Sequence, residues 1–428
     1  MLDIKLIREN PDIVRKNLQK RNDKEKLTLF EEVISLDAEW RGSLQELEKL
    51  KNQRNVISRE IAELKKQGKK ADEKLKIAKV IPEKIKELEE YVVDLRGRID
   101  SILMRLPNLL HESVPTGVDS SQNEIVKLVG KKPHYDFELK SHVDLLQDLD
   151  LADIERAAKT SGARFYFAKN ELVMLDLALK KLALDLLIKK GYSPIEPPFM
   201  IRRGPYEGVT DLNDFEDVLY KIQDEDLYLI ATSEHAIGGM HMNELFEKSQ
   251  LPLKYAGLSA CFRKEAGAHG KDTKGIFRVH QFNKIEQFIF CRPEDSWKLH
   301  EELLENAEEI FKKLGLHYRV VNICTGDIGT VAAKKYDIEV WYPVQNDFRE
   351  VVSCSNCTEY QARRLNIKFD DNGERKFVHT LNSTAIATGR ALVAIIENYQ
   401  QKDGSIKIPE VLVPFMNGQK EIKPKKRE

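Results

Sequence analysis

The chain has 428 residues, 41% hydrophobic and 32% charged, with a formal net charge of −1. That length allows two or three domains, and the balanced charge excludes a globally basic nucleic-acid binder, leaving only local basic patches for such contacts. The five cysteines, Cys261, Cys291, Cys324, Cys354 and Cys357, argue against a disulfide framework in a chain of this size, and no apolar leader or 18-residue apolar run marks a secretion signal or a membrane span. A soluble, cytoplasmic protein is expected.

The first third is poor in Pro and Gly and dense in Lys and Glu. Val33, Trp40, Leu47 and Ile61 fall on one seven-residue track and Leu36, Leu50, Ile57 and Leu64 on its partner, with Ser43 and Arg54 as misfits. Downstream, Ala78, Ile81, Ile85, Leu88, Val92, Leu95, Ile99, Ile102 and Leu106 alternate steps of three and four. These are the seams of an antiparallel coiled-coil hairpin over about 27–106, inside an N-terminal domain spanning 1–110. Gly68 should stop the first helix, Asp72 should cap the second, and Pro82 should kink the second or mark its true start. Arms of roughly 30 residues would project on the order of 45 Å. Arg54, Arg59, Lys65, Lys66, Lys69 and Lys70 make the tip region net basic, which suits a phosphate backbone; dimerisation or spacing is the other use of such a rod.

A loop-like linker, 106–124, leads into a body spanning 111–428. Helices are predicted over 152–162, 171–191 and 387–400. Strands are predicted over 227–232, 277–282, 286–291, 317–324, 338–343, 350–355 and 376–382. Strands joined by short turns with helices bunched between them indicate α+β with an antiparallel sheet. There is no GxGxxG after a strand and no GxxxxGK[ST], so any nucleotide is held without a Rossmann or P-loop cradle.

The stretch FRKEAGAHGKDTKGIFRVHQFNKIEQF, 262–288, concentrates the chemistry. On strands, Arg263 and Glu265 would share one face and Arg278, His280 and Phe282 another, brought together by a loop containing Gly267, Gly270 and Gly275. Guanidinium groups bind phosphate, an aromatic plate stacks on a purine, and a carboxylate accepts from an exocyclic amine or an ammonium group. An ordinary hairpin with paired surface charges fits the same residues.

These residues resemble motif 2 of class II aminoacyl-tRNA synthetases, in the form typical of the seryl-tRNA synthetase family. GYSPIEPPFM (191–200) resembles motif 1, LNSTAIATGRALVAIIENYQ (381–400) resembles motif 3 in an archaeal or eukaryotic form, and ATSEH (231–235) resembles the TxE loop. TGDIGTVAAKKYDIEVWYP and REVVSCSNCTEYQARR resemble the stretch between motifs 2 and 3, so the likeness covers nearly the whole chain. It implies a class II catalytic domain on an antiparallel sheet flanked by helices, preceded by a coiled-coil arm that binds tRNA(Ser). It also implies a homodimer and a ligase that activates L-serine with ATP and Mg2+, then charges tRNA. Whether tRNA(Sec) is also charged is left open.

The resemblance assigns ATP contacts to Arg263, Lys264, Glu265, Arg278, Val279, Phe282, Glu350, Val351, Val352, Ser353 and Arg390. Arg263, Arg278 and Arg390 carry the catalytic charge, Phe282 stacks on adenine opposite Arg390, and Glu350 and Ser353 hold the magnesium. Thr232, Ser233, Glu234, Arg263, Glu286, Asn382 and Thr384 form the serine pocket. Cys354 and Cys357 form a CxxC that Cys324 and His379 would have to complete; the family's common type carries no zinc, and none is expected. The alternatives are a synthetase-like ligase charging a carrier protein and a non-catalytic RNA-binding paralogue.

Overall fold

The computed structural model describes residues 1–212, 216–265 and 274–424. Gly267 and Gly270 of the expected motif 2 loop, and the end of the basic tail (425–428), lie outside the described residues. The chain divides into two compact units, Met1–Leu109 and Leu110–Glu428.

The first unit contains α1 (Ile4–Glu9), α2 (Pro11–Lys20), α3 (Lys24–Lys66) and α4 (Asp72–Arg105). The 43 and 34 residues of α3 and α4 exceed the arms expected, because α3 already starts at Lys24, where the Asp23 carboxylate accepts the Lys26 N–H at 3.1 Å. The seam forms two separate apolar clusters. Near the base, Phe30, Val33 and Leu36 pack with Leu95, Ile99, Ile102 and Leu103 and with Val14 and Leu18 of α2. Farther out, Leu47, Ile57, Ile81 and Ile85 form their own cluster. Gly68 turns the chain at φ +68. One expectation fails here, and of the two given for Pro82 only the helix start is ruled out. Asp72 is the first helical residue; the N-cap is Ala71, which makes no side-chain cap bond. Pro82 neither starts nor breaks the helix; it lies inside α4. Burial of Ile81 and Ile85 on either side outweighs the ~3 kcal/mol a mid-helix proline costs.

The second unit is built on an eight-stranded sheet. Its strands are β1 (Glu124–Val129), β2 (Ser193–Ile195), β3 (Leu253–Phe262), β4 (Gln281–Cys291), β5 (Tyr318–Asn322), β6 (Lys334–Tyr342), β7 (Asp347–Asn356) and β8 (His379–Ala387). The spatial order is β1-β5-β6-β7-β8-β4-β3-β2. Every neighbouring pair is antiparallel except the edge pair β2–β3. The helices α5 (Glu171–Lys189), α7 (Ser296–Lys313) and α8 (Thr388–Asn398) contribute Leu175, Leu179, Leu303, Phe311, Leu392 and Ile395 to the main core, with α6 (Ser233–Met240) on another cluster.

The strands around the expected motif 2 differ from the sequence reading. The β3–β4 ladder ends at Phe262↔Gln281, so Arg263 and Glu265 lie beyond β3, and 277–280 is not a strand. Burial still alternates there, with Phe277 and Val279 buried, but the His280 N–H is taken by the Arg164 carbonyl at 3.1 Å rather than by a neighbouring strand of the sheet. The face shared along β4 is therefore Phe282, Lys284 and Glu286. The run 227–232 shrinks to Tyr228–Leu229, paired with Met200–Ile201 away from the main sheet.

Candidate functional site

The sheet face bearing β4, β6, β7 and β8 opens into a cleft of about 470 Å³. Thr232, Glu234, Arg263, Glu265, Arg278, Val279, Phe282, Glu286, Glu350, Val351, Ser353, Asn382, Thr384 and Arg390 all line it. Lys264, Ser233 and Val352 do not. Lys264 is exposed and held by its backbone N–H to the Val218 carbonyl; Ser233 is buried and donates to the Gly257 carbonyl at 3.3 Å; Val352 faces the core.

Strand geometry collects the charges. On β4, residues two apart project into the cleft, so Phe282, Lys284 and Glu286 form a row. Thr384 of β8 pairs with Glu286 in register, and its hydroxyl reaches the Glu286 carboxylate at 3.4 Å. Glu234, near the N-terminus of α6, accepts from Asn382 Nδ2 at 3.0 Å and from Gln361 Nε2 at 3.2 Å. Burial, and then the Glu286 carboxylate nearby, push the Glu234 carboxyl up to about 7. Burial also raises Glu286, opposed by its direct contact with Lys284. One end of the cleft is thus a polar pocket with a carboxyl that an ammonium group would ionise.

The other end is cationic. Arg263 donates from Nε to the Ala231 carbonyl at 3.3 Å, and its guanidinium lies 5.3 Å from the Phe282 ring centroid. Arg278 pairs with the Glu265 carboxylate at 3.2 Å. Arg390, in the first turn of α8, donates to the Glu350 carbonyl at 2.6 Å. Arg390 packs over Phe277 at 5.3 Å, while the guanidinium against the Phe282 ring is that of Arg263. Desolvation opposes ionisation of Glu350, but Arg390, Lys335, Arg263 and Arg278 together hold its carboxyl below the ordinary value. An acidic oxygen surrounded by four cations, with the Ser353 hydroxyl beside it, suits a polyphosphate that arrives with its own divalent ion.

Comparison with known proteins gives the family. Residues 1–110 match the seryl-tRNA synthetase N-terminal domain, and residues 219–399 match the class II tRNA synthetase core domain for G, H, P, S and T. The serine–tRNA ligase of Methanocella arvoryzae is 58% identical over 98% of this chain and 99% of its own. The chain belongs to the seryl-tRNA synthetase family. The crystal structure of seryl-tRNA synthetase from Pyrococcus horikoshii complexed with ATP superposes with a TM-score of 0.96 at 53% identity, covering 100% of both chains. That of the cytoplasmic serine–tRNA ligase from Naegleria fowleri in complex with AMP gives 0.91 at 40% identity, over 99% of each.

Within this seryl-tRNA synthetase cleft, two lysines escaped the sequence reading. Lys284 is buried against Glu286, and Lys335 reaches the buried Asp337 carboxylate at 3.3 Å. The signal for Lys284 was available: two charges two residues apart on a strand otherwise rich in Phe and Ile. Lys335 gave the same spacing, two residues before Asp337, while its neighbour Lys334 faces elsewhere, over the Tyr336 ring. His235 also lines the cleft; burial, then Arg263 and Lys284, keep it neutral. The five cysteines are buried and none is in a disulfide, and Cys354 and Cys357 have different neighbours, the His300 carbonyl and Asn382.

Gly257 stands directly opposite Glu286 on β3. A Cβ there would lie 2.5 Å from Ile237 Cδ1 and 2.7 Å from Ser233 Oγ, both on the helix that carries Glu234. Gly257→Ala is expected to cost about 1–3 kcal/mol in unfolding and to raise KM for the amino acid with little change for the nucleotide. Equal changes in both would show that the helix shift is not confined to the Glu234 end.

Proposed function

We propose that the protein is a serine–tRNA ligase that joins L-serine to ATP as seryl-adenylate and then to the 3′ end of tRNA(Ser). The observation that carries this is one cleft holding a hydroxyl- and carboxyl-lined pocket next to Arg263, Arg278 and Arg390. A serine carboxylate oxygen attacks the α-phosphorus, and the bond from that phosphorus to the pyrophosphate oxygen breaks. The nucleophile is already ionised, so no general base is required. The difficulty is bringing two anions together, which the guanidinium groups meet by cancelling charge and fixing an in-line approach. In the second step the terminal hydroxyl of the tRNA attacks the acyl carbonyl and AMP leaves.

Arg263 is placed to span the serine carboxylate and α-phosphate, Arg278 the outer phosphates, and Phe282 the adenine. Glu350 and Ser353 would hold a magnesium ion, which supplies further charge neutralisation to the phosphates when bound. The pocket's paired polar groups, Thr232, Glu234, Glu286, Asn382 and Thr384, would be left unsatisfied by alanine, a discrimination worth about 10⁴-fold or more. The basic stretch Arg54, Arg59, Lys65, Lys66, Lys69 and Lys70 is exposed along the hairpin and suits the tRNA backbone. We infer a homodimer, supported by the exposed apolar Val173, Met174 and Leu177 on α5 next to motif 1. We also infer a cytoplasmic setting, supported by five cysteines that all remain reduced. No described helix is long and apolar enough to cross a membrane. Amino-acid-dependent ATP–pyrophosphate exchange across all twenty amino acids tests the reading: exchange should require serine, and exchange with none would favour a non-catalytic RNA-binding role.

Glu234 adds a pH dependence. A carboxyl whose value is raised in the folded state holds its proton more tightly there. Its contribution to the stability of the unliganded protein is therefore present below the ordinary value of 4.5 and lost as pH rises through about 7. Binding a serine ammonium group reverses the preference and releases the proton. KM for serine should rise as pH falls below about 7, approaching tenfold per unit. Glu234→Gln should flatten that profile at a higher KM; an unchanged slope would assign the titration elsewhere.

A further inference from the structure

The loop before α5, outside the three motifs, makes an unassigned contact with the nucleotide end of the cleft. Glu265 has φ +48, a left-handed conformation that a non-glycine residue keeps only where its surroundings impose it. Two guanidinium groups do so. Arg278 holds the carboxylate at 3.2 Å, and Arg164 Nη1 donates to the Glu265 carbonyl at 2.8 Å. Arg164 is itself left-handed, at φ +62, and its own carbonyl accepts the His280 N–H at 3.1 Å while Phe165 packs on the His280 ring at 5.1 Å. His280 in turn accepts the Arg263 N–H at its carbonyl, 2.9 Å away. The loop therefore ties together the outgoing and returning limbs of motif 2 just outside the cleft.

We propose that Arg164 is a positioning residue for adenine recognition, acting through the peptide carbonyl of Glu265, the residue that the motif 2 resemblance sets at adenine. This rests on the assignment of the cleft as an ATP site. Arg278 is shared: it bonds Glu265 but also faces the phosphate region, so a bound nucleotide competes for it. Arg164 bonds backbone and is not part of the cleft lining, so its hold on Glu265 does not depend on where Arg278 turns. With the carbonyl fixed and φ set, the direction of the Glu265 side chain is fixed as well.

The test is pyrophosphate exchange with Arg164→Gln, Arg164→Lys, Glu265→Gln and the Arg164→Gln/Glu265→Gln double variant. Arg164 lies on a partly exposed loop, and the unfolding midpoint of each variant serves as the folding control. Arg164→Gln should raise KM for ATP about 10-fold, with KM for serine and kcat within about 2-fold; Arg164→Lys, which keeps one charged donor, should recover part of the loss. In the Glu265→Gln background the same change should have less than about 2-fold effect, because the two residues act as one unit. Equal effects in both backgrounds, a parallel rise in KM for serine, or no change in KM for ATP would each overturn the proposal. The cleft assignment is judged separately, by serine-dependent exchange in the unsubstituted protein.

Discussion

Arg263→Ala should abolish seryl-adenylate formation and leave the fold intact. The side chain has a carbonyl and an aromatic face to position it, and both come from elements that stand without it. Its Nε rests on the Ala231 carbonyl, and Phe282 belongs to the β4 ladder. Deleting the guanidinium removes no apolar core, so unfolding should shift by no more than about 1 kcal/mol. The chemistry loses far more. Arg263 stands between the pocket of Glu234 and Glu286 and the cationic end with Arg278 and Arg390, the one place where two anionic reactants must meet. Loss of a single preorganised donor commonly costs 10²–10³-fold, and a group serving both reactants should lose at least about 10³-fold in exchange. Arg263→Lys should recover little, because a point charge does not reproduce a planar fork. Exchange within tenfold of the unsubstituted protein would mean that Arg278 and Arg390 carry the α-phosphate and that the proposed clamp is misassigned.

What was legible in the chain follows from the kind of information each feature carries. The coiled-coil seam could be read because burial repeats every three and four residues, and Val33, Leu36, Ile81, Ile85, Leu95 and Ile99 are buried as that pattern requires. The antiparallel sheet could be read from short apolar runs between turns. The segment 277–280 could not, because its alternation of Phe, Arg, Val and His mimics a strand while the His280 N–H goes to a distant loop at Arg164. Lys335 stands two residues from Asp337 on β6, as Lys284 does from Glu286 on β4, and what neither spacing reveals is that both lysines enter one cleft. The motif resemblance supplied residue identities but not their contacts: it did not show that Arg263 lies against the Phe282 ring or that Arg390 packs over Phe277.

The arm gives the second large effect, and the two clusters of its seam show where to cut. Removing all of 33–106 would take Val33, Leu36, Leu95, Ile99, Ile102 and Leu103 out of the base core that also anchors α2, and unfolding of the first unit would obscure the result. Replacing 44–88 by a short Gly-Ser turn removes the outer cluster of Leu47, Ile57, Ile81 and Ile85 and the basic stretch, but spares the base. Pyrophosphate exchange should then stay within about 2-fold, since every residue proposed for adenylate formation lies in the second unit. Serine transfer to tRNA should fall by about 10² or more, because the phosphate contacts that give a charged rod its affinity are gone. A milder version keeps the hairpin and changes Lys65, Lys66, Lys69 and Lys70 to Gln. It should lower the salt dependence of KM for tRNA by roughly 0.7–0.9 in log–log slope for each phosphate no longer neutralised, with serine and ATP constants unmoved. Equal loss of exchange and charging would make the hairpin a structural support of catalysis; loss of neither would leave it as a spacer, and tRNA would have to be gripped by the second unit.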